Sequence, residues 1–185
     1  ISKNVYDNGN FVPDAEEERM SAEYERNYKY LETKPQPKYK TIALALDLYP
    51  TDRRAEFSAD ITLTNENGTD TLFLNTEDFV QLTSLQLNGK ELKVAKKDRG
   101  KNLTAYHIPT GMQKDSTLQL TLVGNKQYVG FVQSDSQADI TTNGSFASVK
   151  DFLPVIGYDS DKELLENRKR QEQGLARLDS RMATI

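Results

Sequence analysis

The sequence predicts a mainly β fold: an antiparallel β-sandwich or saddle-like two-sheet domain, with an N-terminal helix and a C-terminal charged helix. Three observations carry this. Apolar and polar residues alternate with a period of two in successive segments from Tyr39 to Gln133. Turn residues punctuate those segments at short spacing, as in two-sheet β domains. The segments with a helical signature lie outside that region, one on each side, each behind a capping-box pattern.

Residues 1–13 mix Asn, Gly and Pro without a period and read as an extended arm. Asp14 then sits at a cap position with Glu17 three residues on. Met20, Tyr24, Tyr28 and Leu31 share one helical face. The Lys34-Pro35-Gln36-Pro37 segment ends this helix as a stiff link. Ile42, Leu44, Leu46 and Leu48 alternate with Ala43, Ala45 and Asp47, and Ala55, Phe57, Ala59, Ile61 and Leu63 alternate in the same way. The turn Tyr49–Asp52 joins the two into an antiparallel hairpin with one wet face. Leu72–Leu74 gives a short strand. Asn88-Gly89 between alternating residues 85–94 predicts a tight hairpin, because both turn residues accept positive φ. Further strands are expected near Leu103–Ile108, at Leu118–Leu122 and at Tyr128–Gln133, with a loop at Met112–Ser116. Ser160–Glu163 reads as a second capping box, opening a charged helix to about Gln173 with Gly174 as its stop. The expected organisation is an arm and helix at 1–36, an antiparallel β domain at 37–158, and a helix and linker at 159–185.

Composition narrows the function. The chain of 185 residues carries 24 Lys+Arg and 28 Asp+Glu, a net charge of −4, which disfavours nucleic acid or an anionic membrane surface as the main partner. It has no cysteine and one histidine, which removes disulfides, thiolate zinc sites, cysteine nucleophiles and any site needing two imidazoles. No apolar run has the length of a membrane span. The chain opens on Ile1, which reads as an excerpt of a longer protein whose spans or targeting signals lie outside it.

Few residues invite a chemical reading. His107 lies in a strand pattern with no Gly-x-Ser-x-Gly elbow anywhere in the chain, and reads as a surface or half-buried strand histidine. Asp135, Asp139, Asp151, Asp159, Asp161 and Glu163 cluster loosely but lack the spacing of a calcium loop, so they read as a solvated loop and a helix cap. Tyr24, Tyr28 and Tyr30 read as helix packing, and Phe57, Phe73 and Phe131 as core. Asn67, Asn102 and Asn143 begin Asn-x-Ser/Thr patterns, read as chance matches. Arg168-Lys169-Arg170, between Glu166 and Glu172, reads as a solvated helix face.

The hairpin Tyr39–Asn65, the Asn88-Gly89 hairpin and the strand Gly130-Phe131-Val132-Gln133-Ser134 resemble the N-terminal β domain of aminopeptidase N-like (gluzincin) zinc metallopeptidases. Phe146, Asp151–Asp159, Glu163-Leu164 and Arg168 resemble a bacterial subgroup in which that region is fused to an ABC-type transporter permease. The resemblance covers residues 24–185. It implies a non-catalytic domain that shapes the peptidase cleft, next to a downstream catalytic domain in a membrane-linked parent, itself a candidate zinc aminopeptidase. The extracytoplasmic, periplasmic face of a bacterial inner membrane is the implied location. Its implied partners are that catalytic domain and peptides, with no nucleic acid and with the membrane reached only through segments outside this chain. Zinc is implied only for the catalytic domain, and no cofactor, metal ligand or catalytic residue for this chain. Where the family presents a glutamine to the substrate amine, this chain reads Thr142-Asn143-Gly144-Ser145-Phe146, so Asn143 and Phe146 are its substrate-facing candidates. Two other readings compete: a cell-surface β-sandwich binding carbohydrate or protein, and a structural scaffold in a transporter assembly.

Overall fold

The computed structural model describes residues 14–66, 68–77, 79–98, 102–108, 115–127, 140–141, 144–145 and 147–178. Their order begins with helix α1 (Asp14–Tyr28), continued by one 3-10 stretch, Lys29–Thr33. The strands follow as β1 (Lys38–Tyr49), β2 (Arg54–Asn65), β3 (Thr71–Asn75), β4 (Val80–Leu87), β5 (Lys90–Glu91), β6 (Lys93–Asp98), β7 (Leu103–His107) and β8 (Ser116–Gln127). Short strands β9 (Ile140–Thr141), β10 (Gly144–Ser145) and β11 (Val155–Ile156) precede a six-residue helix α2 (Asn167–Glu172). The fold is mainly β, built on two antiparallel sheets that do not close into a barrel, as the alternation predicted.

One main sheet has the order β1-β2-β8-β4-β5 and the other β11-β3-β7-β6, while β9 and β10 pair separately as a two-stranded ribbon. Residues of one parity on β2 and β8 fill the space between them: Ala55, Phe57, Ala59, Ile61 and Leu63 against Leu118, Leu120 and Leu122, with Leu72, Leu74, Phe152 and Leu153 from the opposite side. Opposite parity on β2 and β8 faces water, so these strands alternate in sequence. A second cluster forms outside the smaller sheet, where Tyr24, Tyr28 and Leu31 of the N-terminal helix pack on Leu103 and Phe73. The layers are therefore large sheet, small sheet, helix. The small sheet is covered on both faces, which is why β3 reads as the unbroken apolar run Leu72-Phe73-Leu74.

Local chemistry explains the joints. The Asn88-Gly89 turn has φ +50° and +74°, as its residue types require. Its hairpin is shorter than the alternation at 85–94 predicts. Only Gln86↔Glu91 and Leu87↔Lys90 pair; Leu92 then turns into the core and β6 joins the other sheet beside β7. Gln36, between two prolines, does more than link. Its side-chain amide donates to the Thr71 carbonyl and accepts from the Phe73 N–H, both at 3.0 Å, as a neighbouring strand would.

The C-terminal segment differs most from expectation. Ser160–Lys162 forms a single 3-10 turn capped by Asp159, whose carboxylate accepts from the Asp161 N–H at 3.1 Å. Residues 163–166 are extended, because Leu164 is drawn into the interior and Glu163 reaches Lys29. The helix begins only at Asn167. Gly174, at φ +69°, does end it: its N–H donates to the Gln171 carbonyl and the Leu175 N–H to Arg170. Arg170 is not on a solvated face but 2% exposed. Tyr30, read as packed, is 53% exposed. The strand expected at 128–133, the loop at Met112 to Lys114 and Phe131 lie outside the described residues.

Gly124 of β8 has no room for a side chain. An added Cβ would stand 2.6 Å from the Phe57 ring and 2.7 Å from the Gln81 carbonyl oxygen. Gly124→Ala is therefore expected to destabilise the fold by about 1–3 kcal/mol through overpacking. Urea unfolding followed by circular dichroism measures it.

Candidate functional site

The residues singled out by sequence separate into three groups. Asn143, Phe146, Asp135 and Asp139 lie outside the described residues. His107 stands exposed at the end of β7, opposite Thr71 on β3 and Lys93 on β6. No carboxylate or hydroxyl that it could activate is bonded to it among the described residues. Of the remaining acids, Asp151, Asp159 and Glu163 do structural work, and Asp161 enters through its backbone N–H. Asp151 closes a capping box, accepting from the Ser148 N–H at 2.5 Å. Asp159 caps the turn after it, and Glu163 pairs with Lys29 at 2.6 Å. Among the described residues no group of three His, Cys, Asp or Glu side chains is placed to hold a metal ion.

The densest polar constellation was not foreseen. It joins α1 to the segment from Gly157 to Ala176. Tyr24 and Tyr158 stack with centroids 5.4 Å apart and planes 19° from parallel. Lys29 lies 5.1 Å from the centroid of Tyr158 and Lys162 lies 5.7 Å from that of Tyr24. The Tyr24 hydroxyl accepts from the Asp159 N–H at 2.9 Å and donates to Asn75 Oδ1 at 3.4 Å. Asn75, 2% exposed, donates through Nδ2 to the Gly157 carbonyl at 2.7 Å. Below this stack Arg170 forms a two-pronged pair with Glu25, Nη1 to Oε2 and Nη2 to Oε1, both 2.7 Å. Its guanidinium also donates to the carbonyls of Leu164 and Ala176, at 2.8 and 2.7 Å. Lys169 to Glu18, at 2.8 Å, extends the contact along α1.

Burial sets the protonation of these groups. It pushes the Tyr24 hydroxyl up to about 12, so the ring stays neutral. Burial also raises the Asp159 carboxyl, against the pull of the Lys162 charge. Burial would likewise raise Glu163. The hydrogen bond from Lys29 and the charges of Lys29 and Arg170 oppose it, and the favourable contacts together hold this carboxyl below its ordinary value. Such an arrangement holds these protons in place and ties α1 to the C-terminal segment.

One cleft, of about 780 Å³, opens beside the clasp between Asn27, Tyr28 and Tyr30 on one wall and Lys96, Lys97 and Asp98 on the other. The Tyr28 hydroxyl crosses it to donate to Asp98 at 2.5 Å.

No family model matches this chain, and no curated protein does. Its neighbours among solved structures are M1 zinc metallopeptidases. The enzyme from Deinococcus radiodurans overlaps with a TM-score of 0.42 at 13% identity, over 50% of this chain and 20% of that one. A two-domain M1 zinc metallopeptidase bound to L-arginine gives 0.43 at 11% identity, over 63% of this chain and 30% of that one. The chain thus spans a fifth to three tenths of the length of these structures. A partial overlap of this size carries no residue role across.

Two outcomes test the clasp. Arg170→Ala is expected to cost about 3–5 kcal/mol, because it leaves a buried carboxylate without its partner. The double variant with Glu25→Ala should cost less than the sum, and a double-mutant cycle in urea reads the difference. Glu163→Gln tests the Lys29 pair through pH. A carboxyl held low in the folded state stabilises above its unfolded pKa and loses that contribution as pH falls through its folded one. The melting temperatures of wild type and Glu163→Gln should differ at neutral pH and converge on acidification below 4.5, the ordinary glutamate value.

Proposed function

We propose that this chain is a non-catalytic positioning domain of a metallopeptidase-like protein, shaping the peptidase cleft beside a downstream catalytic domain. The observation that supports it is how the segment Asp151–Arg170 is used. Asp151 caps a turn, Phe152 and Leu153 plug the core, and Val155–Ile156 pair with β3. Tyr158, Asp159, Glu163 and Arg170 clasp the helix. The stretch whose residues resemble the peptidase–permease subgroup is thus committed to fixing the fold, as a positioning role requires and a catalytic one does not. In its finer form the proposal places the chain on the periplasmic face of a bacterial inner membrane, joined to an ABC-type permease. Peptides and the catalytic domain are then its partners, and zinc is held only by the latter.

The purified chain is expected to release no p-nitroaniline from aminoacyl-p-nitroanilides, with or without added zinc, and His107→Ala should change nothing. Turnover that disappears in His107→Ala overturns the proposal. A His-Glu-x-x-His segment in the parent reading frame beyond Ile185 supports it, whereas a parent lacking that motif turns the role into a scaffold within a transporter assembly.

A further inference from the structure

Among the described residues the two sheets have four edge strands, and three are blunt. β5 and β11 are each two residues long, and the part of β4 that β5 leaves uncovered carries a register break between Leu82 and Ser84. β6 carries Lys93, Lys96 and Lys97 and a register break between Val94 and Lys96. Short length, lysines and bulges are the usual means of keeping an edge from pairing. β1 has none of them along its main run. From the register break at Tyr39/Thr41 to the turn at Pro50, the segment Thr41–Tyr49 contains no lysine, arginine, proline or glycine, and its one charge is Asp47. Its core-side row is only partly covered: Ile42 is 42% and Leu48 40% exposed, while Leu44 and Leu46 between them are half-buried against the core.

We propose that β1 is the surface through which two copies of this chain associate, edge to edge and antiparallel, about a twofold axis at Ala45. The sequence of the edge selects this occupant. An isologous contact pairs residues reciprocally, and directly opposed residues of antiparallel strands share a face, so the axis must fall on a residue. Ala45 is the midpoint of the run Thr41–Tyr49, so only this register uses all of it. Ile42 then opposes the partner's Leu48, and Leu44 the partner's Leu46, joining the two half-covered rows into one apolar strip. On the other face Ala45 meets its own copy and Ala43 meets the partner's Asp47. The two carboxylates are thereby kept apart. An axis at Asp47 would oppose them, and an axis at Leu44 or Leu46 would run one end into the register break or Pro50.

Sedimentation equilibrium of the full chain tests this, with circular dichroism to confirm that each variant is folded. The wild type should sediment in the micromolar range at twice the chain mass of 21.0 kDa. Ala45→Lys sets two like charges directly opposite each other and should weaken the dimer at least about tenfold. Ala43→Lys faces the partner's Asp47 and should leave the dimer as tight or tighter; Ala43→Glu faces the same carboxylate and should weaken it. The two Ala43 variants decide the matter even if Ala45→Lys does not fold. A monomeric wild type, an undisturbed Ala45→Lys dimer, or equal effects of Ala43→Lys and Ala43→Glu would each overturn the proposal. None of these outcomes bears on the peptidase reading, whose test is turnover.

Discussion

The Glu25–Arg170 pair is the constraint on which the outer half of the molecule depends. The short helix α2 brings little apolar surface to its contact with α1, Arg170 being its one buried residue. A six-residue helix such as α2 has no independent stability in water. Arg170 supplies what the apolar surface does not. One guanidinium binds Glu25 on α1, the carbonyl of Leu164 before its own helix and that of Ala176 after it. It therefore fixes the entry and exit of α2 together with the orientation of α1. Desolvating both charges opposes much of the gain, so the pair contributes more to the choice of one arrangement than to net stability. The fork geometry of arginine makes that choice, because two parallel bonds to a carboxylate set an angle as well as a distance.

The clasp also gives the small sheet its second cover. Phe73 and Leu103 are apolar side chains on the face away from the core, and they would meet water if α1 were not held there. Tyr24 couples the two levels. Its ring stacks on Tyr158, while its hydroxyl satisfies a buried backbone N–H at Asp159 and reaches the Asn75 side chain on β3. Helix, β3 and C-terminal strap are thus one hydrogen-bonded unit.

Legibility in the sequence followed the range of the interactions. The Asn88-Gly89 turn, the face carrying Tyr24, Tyr28 and Leu31, and the stop at Gly174 rest on contacts within a few residues, and the two-sheet fold, though paired at long range, leaves its period-two alternation along each strand. Arg170 did not show, because Arg168-Lys169-Arg170 between two glutamates has the local pattern of a solvated face. Its partner lies on α1, and no local spacing marks that pairing. Gln36 was hidden in the same way between prolines that signal a link. Glu163 had the position of a capping-box residue but is drawn off by Lys29, so the helix starts later than its sequence suggests. The substrate-facing candidates Asn143 and Phe146 rested on resemblance alone, with no local physical signal behind them.

The uneven cover of the core follows from the layer order. β2 lies under the small sheet along its length, and its apolar row is buried to within 3% exposure. β1 carries the same kind of row one strand further out, where Leu44 and Leu46 are only half-buried against the core and Ile42 and Leu48 stay open. Full burial of such side chains is worth about 1.5–3 kcal/mol each. The isolated chain therefore draws its stability chiefly from β2 and β8, and gains from β1 only part of what its sequence offers. Single exposed leucines need no explanation. A continuous row does, on a run, Thr41–Tyr49, that holds neither the lysines nor the register break that interrupt β6.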